Sequence, residues 1–186
     1  MQVIIFEGIP TSGKTSTINA CKDILTCNYE IIYEDETLMK ILDNKDENIA
    51  LKHLESYKSR IESLKVDLLI IDRFHYTHIF RSNSNYEVFG ELEKWLIQYD
   101  TKIIVMKMSF NEIMTRINLS LTHRDKSWGD YVSKKGDIDQ IKQYYFSQQS
   151  KLFEICSGSI LDNYMINTDD RDWQGYAKKI QKLINA

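Results

Sequence analysis

Eight residues near the start of the chain, Gly8-Ile9-Pro10-Thr11-Ser12-Gly13-Lys14-Thr15, constrain its fold more than any others. They fit G-x-x-x-x-G-K-[ST], a cradle for polyphosphate. Glycines let the backbone wrap closely round phosphate oxygens, with N–H groups pointing inward. Lys14 supplies a point charge for the β- and γ-phosphates, and the Thr15 hydroxyl can ligate Mg²⁺. The expected nucleotide-binding set is therefore Gly8, Thr11, Ser12, Gly13, Lys14, Thr15 and Ser16. The pattern works only between a strand and a helix. Val3-Ile4-Ile5-Phe6 is a short apolar run rich in β-branched residues, which predicts a buried strand. Ile18, Cys21 and Leu25 then recur at helical spacing.

The remaining chain repeats this alternation. Strands are predicted at Tyr29 to Tyr33, Val66 to Ile71, Lys102 to Met108 and Ile160 to Ile166. Ala50, Leu54, Tyr57, Ile61 and Leu64 step by four and three, giving one apolar helical face. Val88, Leu92, Trp95 and Tyr99 do the same before the fourth strand. Ser109-Phe110-Asn111-Glu112 opens a helix with a capping-box pattern, and a longer helix begins at Asp137 and stops near Gly158. Trp173, Ala177, Ile180 and Ile184 give a closing helix. Strands alternating with helices imply an α/β three-layer P-loop NTPase fold: five parallel strands flanked by helices. One domain spanning 1–186 is expected, with a lid at about 118–136, where the polar stretch Leu121 to Lys135 lies.

Charge and cysteine content narrow the partners. A net charge of −3 provides no basic field for stable nucleic-acid binding. Three cysteines without C-x-x-C spacing argue against a disulfide framework or a zinc site, and suit a reducing compartment. No apolar run is long enough to span a membrane, and the first strand follows Met1 directly, so a cytoplasmic location is expected.

The third predicted strand ends in Asp72-Arg73-Phe74. In a parallel sheet ligands bind at the carboxyl ends of strands, so Asp72 and Gly8 should face one crevice. Asp72 can hold Mg²⁺ through its waters, and Arg73 can fork onto a phosphate or a hydroxyl.

Here the chain resembles the thymidylate kinase and deoxynucleoside kinase group of P-loop enzymes. Phe6-Glu7-Gly8 with Ser12-Gly13-Lys14-Thr15 is similar to the start of thymidylate kinases, and Asp72-Arg73 plus an aromatic is similar to their Asp-Arg-aromatic motif. The segment Ser109 to Ile117 looks like the family's fourth-strand exit, where a helix carries an Arg before the lid. Tyr144-Tyr145-Phe146 resembles the aromatics after the lid, and Met165 to Asp169 the last strand and its adenine loop. The resemblance implies Mg²⁺-ATP on the P-loop, adenine near Thr168 and Asp169, a nucleotide or nucleoside acceptor, and a homodimer. Two features depart from thymidylate kinases. Glu34-Asp35-Glu36 stands where they carry Arg-Glu-Pro, and their Ser-Ser-x-Ala-Tyr-Gln pattern after Asp-Arg is missing.

By resemblance to deoxynucleoside kinases, Glu34 at the end of the second strand is the base for an attacking 5′-hydroxyl, with Asp35 or Glu36 as alternatives. Arg124 in the lid and Arg116 before it are candidates to stabilise charge on the transferring phosphoryl group. Phe74 and Tyr76 are candidates to stack on an acceptor base. Two other classes remain open: a kinase of another small-molecule hydroxyl, and an ATPase or GTPase switch. Asn44-Lys45-Asp46-Glu47 superficially resembles a guanine-reading Asn-Lys-x-Asp, but fails at Glu47 and comes too early in the chain.

Overall fold

The computed structural model describes residues 1–38, 46–82 and 84–184. Asn44 and Lys45 of the superficial guanine motif lie outside the described residues. Asp46 caps the next helix, accepting from the Asn48 amide at 2.9 Å.

Five strands form one parallel sheet: β1 Gln2–Glu7, β2 Tyr29–Ile32, β3 Leu68–Asp72, β4 Lys102–Lys107 and β5 Asp162–Asn167. Their order is β2-β3-β1-β4-β5. The strands are apolar on both faces, as a sheet covered twice requires. Val3, Ile5, Leu69, Ile71, Ile103 and Val105 face one core; Ile4, Phe6, Leu68, Ile70, Ile104 and Met106 face the other. Each such side chain contributes about 1.5–3 kcal/mol on burial. Helices α1 Lys14–Lys22 and α10 Trp173–Ile184 cover the second face, through Ile18, Cys21, Tyr176 and Ile180. The first face is covered by α3 Glu47–Glu55, α4 Lys58–Ser63, α5 His75–Ser82, α6 Gly90–Ile97 and α9 Ile138–Gly158. One-turn helix α2 Glu34–Thr37 follows β2.

Several boundaries differ from the sequence expectation. The long helix predicted from Ala50 to Leu64 breaks into α3 and α4. The Ser56 amide and hydroxyl both bond to the end of α3, the hydroxyl to the His53 carbonyl at 2.6 Å. Ala50, Leu54 and Ile61 keep their buried phase across the break. Before β4, a 3₁₀ turn at Tyr86–Phe89 shifts the buried set to Phe89, Leu92 and Leu96, leaving Trp95 and Tyr99 only partly buried. β5 starts at Asp162, because the Ile160 amide is drawn to Glu93 at 3.1 Å instead. The stretch expected as a lid is helical: α7 Phe110–His123 turns at Arg124-Asp125 into α8 Lys126–Ser133. Beneath it Ile9, Met108, Ile113, Ile117, Val132 and Tyr145 form a third, smaller core that joins it to the P-loop.

Candidate active site

The register Phe6↔Asp72 brings the ends of β1 and β3 side by side, beneath the turn into α1. Here the chain order reverses, since β1 is flanked by β3 and β4, and ligands of such sheets bind at this point. The P-loop curls tightly. A Cβ on Gly8 would lie 2.6 Å from Ser12 Oγ and 2.7 Å from the Met106 carbonyl, so only glycine fits. Thr11 takes the left-handed conformation at φ 65°. Lys14 folds over the loop, its Nζ donating to the carbonyls of Gly8 (3.2 Å) and Ile9 (3.3 Å). Burial, then the neighbouring Arg73 guanidinium, pulls this ammonium down to about 8, against Glu34, Asp72 and Glu7. Thr15 and Ser16 stand exposed at the start of α1.

Thr15 Oγ1 donates to Asp72 Oδ2 at 3.5 Å, joining the two residues expected at the metal. The other Asp72 oxygen, Oδ1, is buried and has no hydrogen-bond partner among the described residues. Burial pushes the Asp72 carboxyl up, although Lys14 and Arg73 favour its charge. Arg73 is left-handed too, at φ 65°. Its guanidinium is only 2% exposed; Nη1 donates to the Gly8 carbonyl at 2.6 Å, and Nε lies 3.0 Å from Glu34 Oε1.

Among the three acids of α2, the structure brings Glu34 to this pair. Asp35 is exposed, and the Glu36 carboxylate pairs with Arg60 at 2.5 Å. Tyr57 and His53 bind the Glu36 carbonyl at 2.8 and 3.2 Å, which fixes the turn and aims Glu34 inward. Burial opposes ionisation of Glu34, but Arg73 and Lys14 outweigh it and hold the carboxyl at about 2. The Glu34 side chain remains 38% exposed, so it pairs with Arg73 and still reaches solvent.

Other expectations are corrected. Phe74 and Tyr76 have no exposed surface, pack into the first core, and therefore stack on no ligand. The Tyr76 hydroxyl donates to Asn163 at 3.1 Å. Ser12 is sealed inside the loop, with its amide given to the Ile9 carbonyl at 3.3 Å, so it shapes the cradle without lining it. Thr168 is buried as well; its hydroxyl and carbonyl both accept from Arg116, which removes it from contact with a base. Asp169 accepts from the Ser109 amide at 2.9 Å and lines a cavity of about 430 Å³ outside β5 that contains no P-loop residue. Arg116 is 95% buried and ties the P-loop to the β5 exit: besides Thr168 it reaches the Thr11 carbonyl at 3.5 Å and lies 5.7 Å over the Trp173 ring. It is a strut, not a free arginine, in this conformation. Arg124 is exposed at the α7–α8 corner, stacked 4.7 Å from Trp128.

Sequence reasoning missed three features. Trp173, expected only as a helix face, seats its ring against Gly13 and lines a cavity of about 410 Å³ with Ser16, Asn19, Arg171, Asp172 and Gln174. Arg81 of α5 donates to the Tyr131 hydroxyl of α8 at 3.1 Å and adds to the field that lowers Glu34. Glu7, noted only as part of a motif, has a buried carboxylate between β1 and α5. The sequence signal for it is an acid that ends an apolar run directly before the phosphate loop. Among the described residues no three His, Cys, Asp or Glu side chains form a metal cage, and no helix is long and apolar enough to cross a membrane.

No protein-family model matches the chain. It is 21% identical over 180 residues to the probable thymidylate kinase of Metallosphaera sedula, covering 86% of both chains. In three dimensions it matches the YorR protein of Bacillus subtilis, solved in complex with phosphorylated GDP. That match has a TM-score of 0.72 at 17% identity, over 99% of this chain and 96% of the other. Deoxyadenosine kinase of M. mycoides with bound dATP matches over the whole of both chains, with a TM-score of 0.64 at 15% identity. The parallel sheet of order 2-3-1-4-5, covered by helices, is the P-loop kinase fold. These likenesses show a fold shared with deoxynucleoside kinases and a distant sequence resemblance to a thymidylate kinase.

Proposed function

We propose that this chain is an ATP-dependent phosphotransferase that moves the γ-phosphoryl group to the hydroxyl of a nucleoside. One observation carries the choice of acceptor: the Glu34 carboxylate, paired with Arg73 at 3.0 Å and within the field of Lys14, keeps 38% of its side chain exposed. An ionised carboxylate there accepts the hydrogen bond of an attacking hydroxyl and repels a phosphate dianion.

In this reading Lys14 leaves the Gly8 and Ile9 carbonyls for the phosphates of ATP, and the loop amides bind the oxygens. The donor nucleoside lies in the cavity beside Trp173, Asn19 and Arg171. The hydroxyl oxygen attacks the γ-phosphorus, its proton passes to Glu34, and the bond to the β-phosphate oxygen breaks to release ADP. Arg73 neutralises charge on the transferred group, and closure of α7–α8 delivers Arg124 and excludes water. Thr15 Oγ1 and Asp72, whose Oδ1 has no partner among the described residues, fit Mg²⁺, which takes few protein oxygens and keeps waters and phosphates as its other ligands. When bound there, that ion would supply positive charge to offset the phosphates during transfer.

A nucleoside monophosphate is the second reading. Arg73 and Arg81 both act on Glu34, and two guanidiniums near one point suit a phosphate acceptor. The deciding assay is ADP release with a panel of deoxynucleosides and their monophosphates. Turnover with a nucleoside supports the first reading. Turnover with monophosphates alone transfers the site to the second, and no turnover with any acceptor defeats both.

A further inference from the structure

Glu7 takes no part in the chemistry described above, yet it is the most completely enclosed acid beside the site. It ends β1 immediately before the P-loop, and none of it reaches solvent. A carboxylate survives such burial only among donors. Its Oε1 accepts from the Phe74 amide at 2.9 Å and the Thr77 amide at 3.3 Å. Its Oε2 accepts from the Thr77 hydroxyl. An ionised carboxylate is acceptor-only, so the Thr77 hydroxyl must donate to it and turn its lone pairs away. Those lone pairs receive Arg73 Nη1 at 3.1 Å, the same nitrogen that donates to the Gly8 carbonyl at 2.6 Å.

The backbone depends on the same acid. Arg73 sits at φ 65°, a conformation that side-chain-bearing residues rarely adopt. The peptide that follows it presents the Phe74 amide to Glu7, which pins the strained turn. Arg73 thus stands between two carboxylates of opposite accessibility. Glu34 pairs with it directly and is 38% exposed; Glu7 reaches it only through Thr77 and is fully enclosed.

We propose that Glu7 is a positioning residue for phosphoryl transfer: through the Thr77 hydroxyl it keeps the Arg73 guanidinium on the Gly8 carbonyl while Glu34 engages the acceptor. This rests on the acceptor site proposed above.

Three variants test it: Thr77→Val, which keeps shape and removes the hydroxyl; Thr77→Ser, which restores the hydroxyl; and Glu7→Gln, which replaces an acceptor by an amide that also donates. Thr77→Val should lower kcat roughly ten- to thirtyfold with the KM for ATP within about twofold, as for a group acting in the transition state. Thr77→Ser should recover kcat to within about threefold, and Glu7→Gln should follow Thr77→Val. Equal kcat in the wild type and Thr77→Val, or an equal fall in Val and Ser variants, overturns the proposal. A second readout needs no turnover and survives failure of the kinase reading. The ¹⁵N resonance of the Arg73 Nη1–H group, the one held by Thr77, should be slowly exchanging in the wild type and in Thr77→Ser, and lost to exchange in Thr77→Val. Persistence of that signal in Thr77→Val overturns the proposal even if no acceptor is ever phosphorylated, and a wild type without kinase activity counts against the acceptor site alone. If Glu7→Gln does not fold, the two Thr77 variants still decide.

Discussion

The indole of Trp173 rests on Gly13: a Cβ built on that glycine would stand 2.3 Å from ring carbon Cζ3. The contact ties the start of α10 to the N-terminus of α1, where Gly13 takes φ 92°. It also makes Trp173 a wall of the cavity next to Ser16. Trp173→Ala should leave the fold intact and weaken ATP binding about tenfold, the loss expected from one stacked aromatic. Titration with a fluorescent ATP analogue checks this; unchanged affinity would remove the donor nucleoside from that cavity. Gly13→Ala should be worse, because strain at positive φ, of at least ~1 kcal/mol, adds to the collision with the ring.

Glu34→Gln keeps the size of the side chain and removes the charge that faces Arg73. Under a nucleoside acceptor, kcat should fall about a hundredfold with little change in the KM for ATP. Under a phosphate acceptor, kcat should hold or rise. The same residue has a stability signature. Its folded carboxyl lies at about 2, below the ordinary 4.5, so its contribution is complete above about pH 4.5 and disappears as pH falls through 2. Partial exposure screens the pair and keeps that contribution small. Acid unfolding curves of the wild type and Glu34→Gln should therefore converge toward pH 2.

What the chain discloses in advance follows from how local each signal is. The P-loop and its flanking elements are contiguous, and the strands are apolar runs that must be buried, so the strand–loop–helix unit and the parallel sheet are legible. The exit of β3 is different. The left-handed Arg73 rotates the start of α5, so that Arg73 and Thr77, four residues apart, face the P-loop while Phe74 and Tyr76 turn into the core. Nothing in the order Arg-Phe-His-Tyr fixes that phase; the enclosed Glu7 does, from 67 residues away. In the same way, three consecutive acids leave open which one reaches the crevice. The answer lies in Tyr57, His53 and Arg60, which grip Glu36 from α3–α4. Trp173 reads as one more apolar position until α10 is laid against α1.

Lys14 supplies a pH test of the donor site. Burial and Arg73 bring its ammonium to about 8, so in the free protein it loses its proton above that pH. Phosphate binds the charged form. ATP affinity should be flat below about pH 8 and fall up to about tenfold per unit above it, provided the nucleotide is fully ionised throughout. Calorimetric titrations from pH 6.5 to 9.5 would show it, along with proton uptake by the protein near pH 8.5. Lys14→Met should bind weakly at every pH without that slope and should abolish phosphoryl transfer. A slope that persists in Lys14→Met assigns the titration to another group.

A second buried acid holds the far end of the sheet. Glu93 of α6 is fully buried and is surrounded by donors. His75 Nε2 lies 3.0 Å from Oε1, the Ser159 hydroxyl donates to Oε1 at 2.8 Å, the Ile160 amide donates to Oε2 at 3.1 Å, and the Tyr86 hydroxyl donates to Oε2. This one carboxylate joins α5, α6, the 3₁₀ turn and the entry to β5. Glu93→Ala strands all four donors in the interior and should cost about 3–5 kcal/mol, or roughly 10 °C in Tm for a chain of this size. Glu93→Gln retains an acceptor but turns an amide donor toward other donors, so it should lose about 1–3 kcal/mol. Burial raises the Glu93 carboxyl, yet the bonds from His75, Tyr86 and Ser159 prevail and hold it below the ordinary range. Its contribution is therefore present above the ordinary carboxylate pKa and is lost as pH falls through the lowered value. Thermal melts of the wild type and Glu93→Gln, run from pH 7 down to pH 3, should differ most at neutral pH and approach each other in acid. A difference that stays constant across that range would assign the loss to packing rather than to the buried charge.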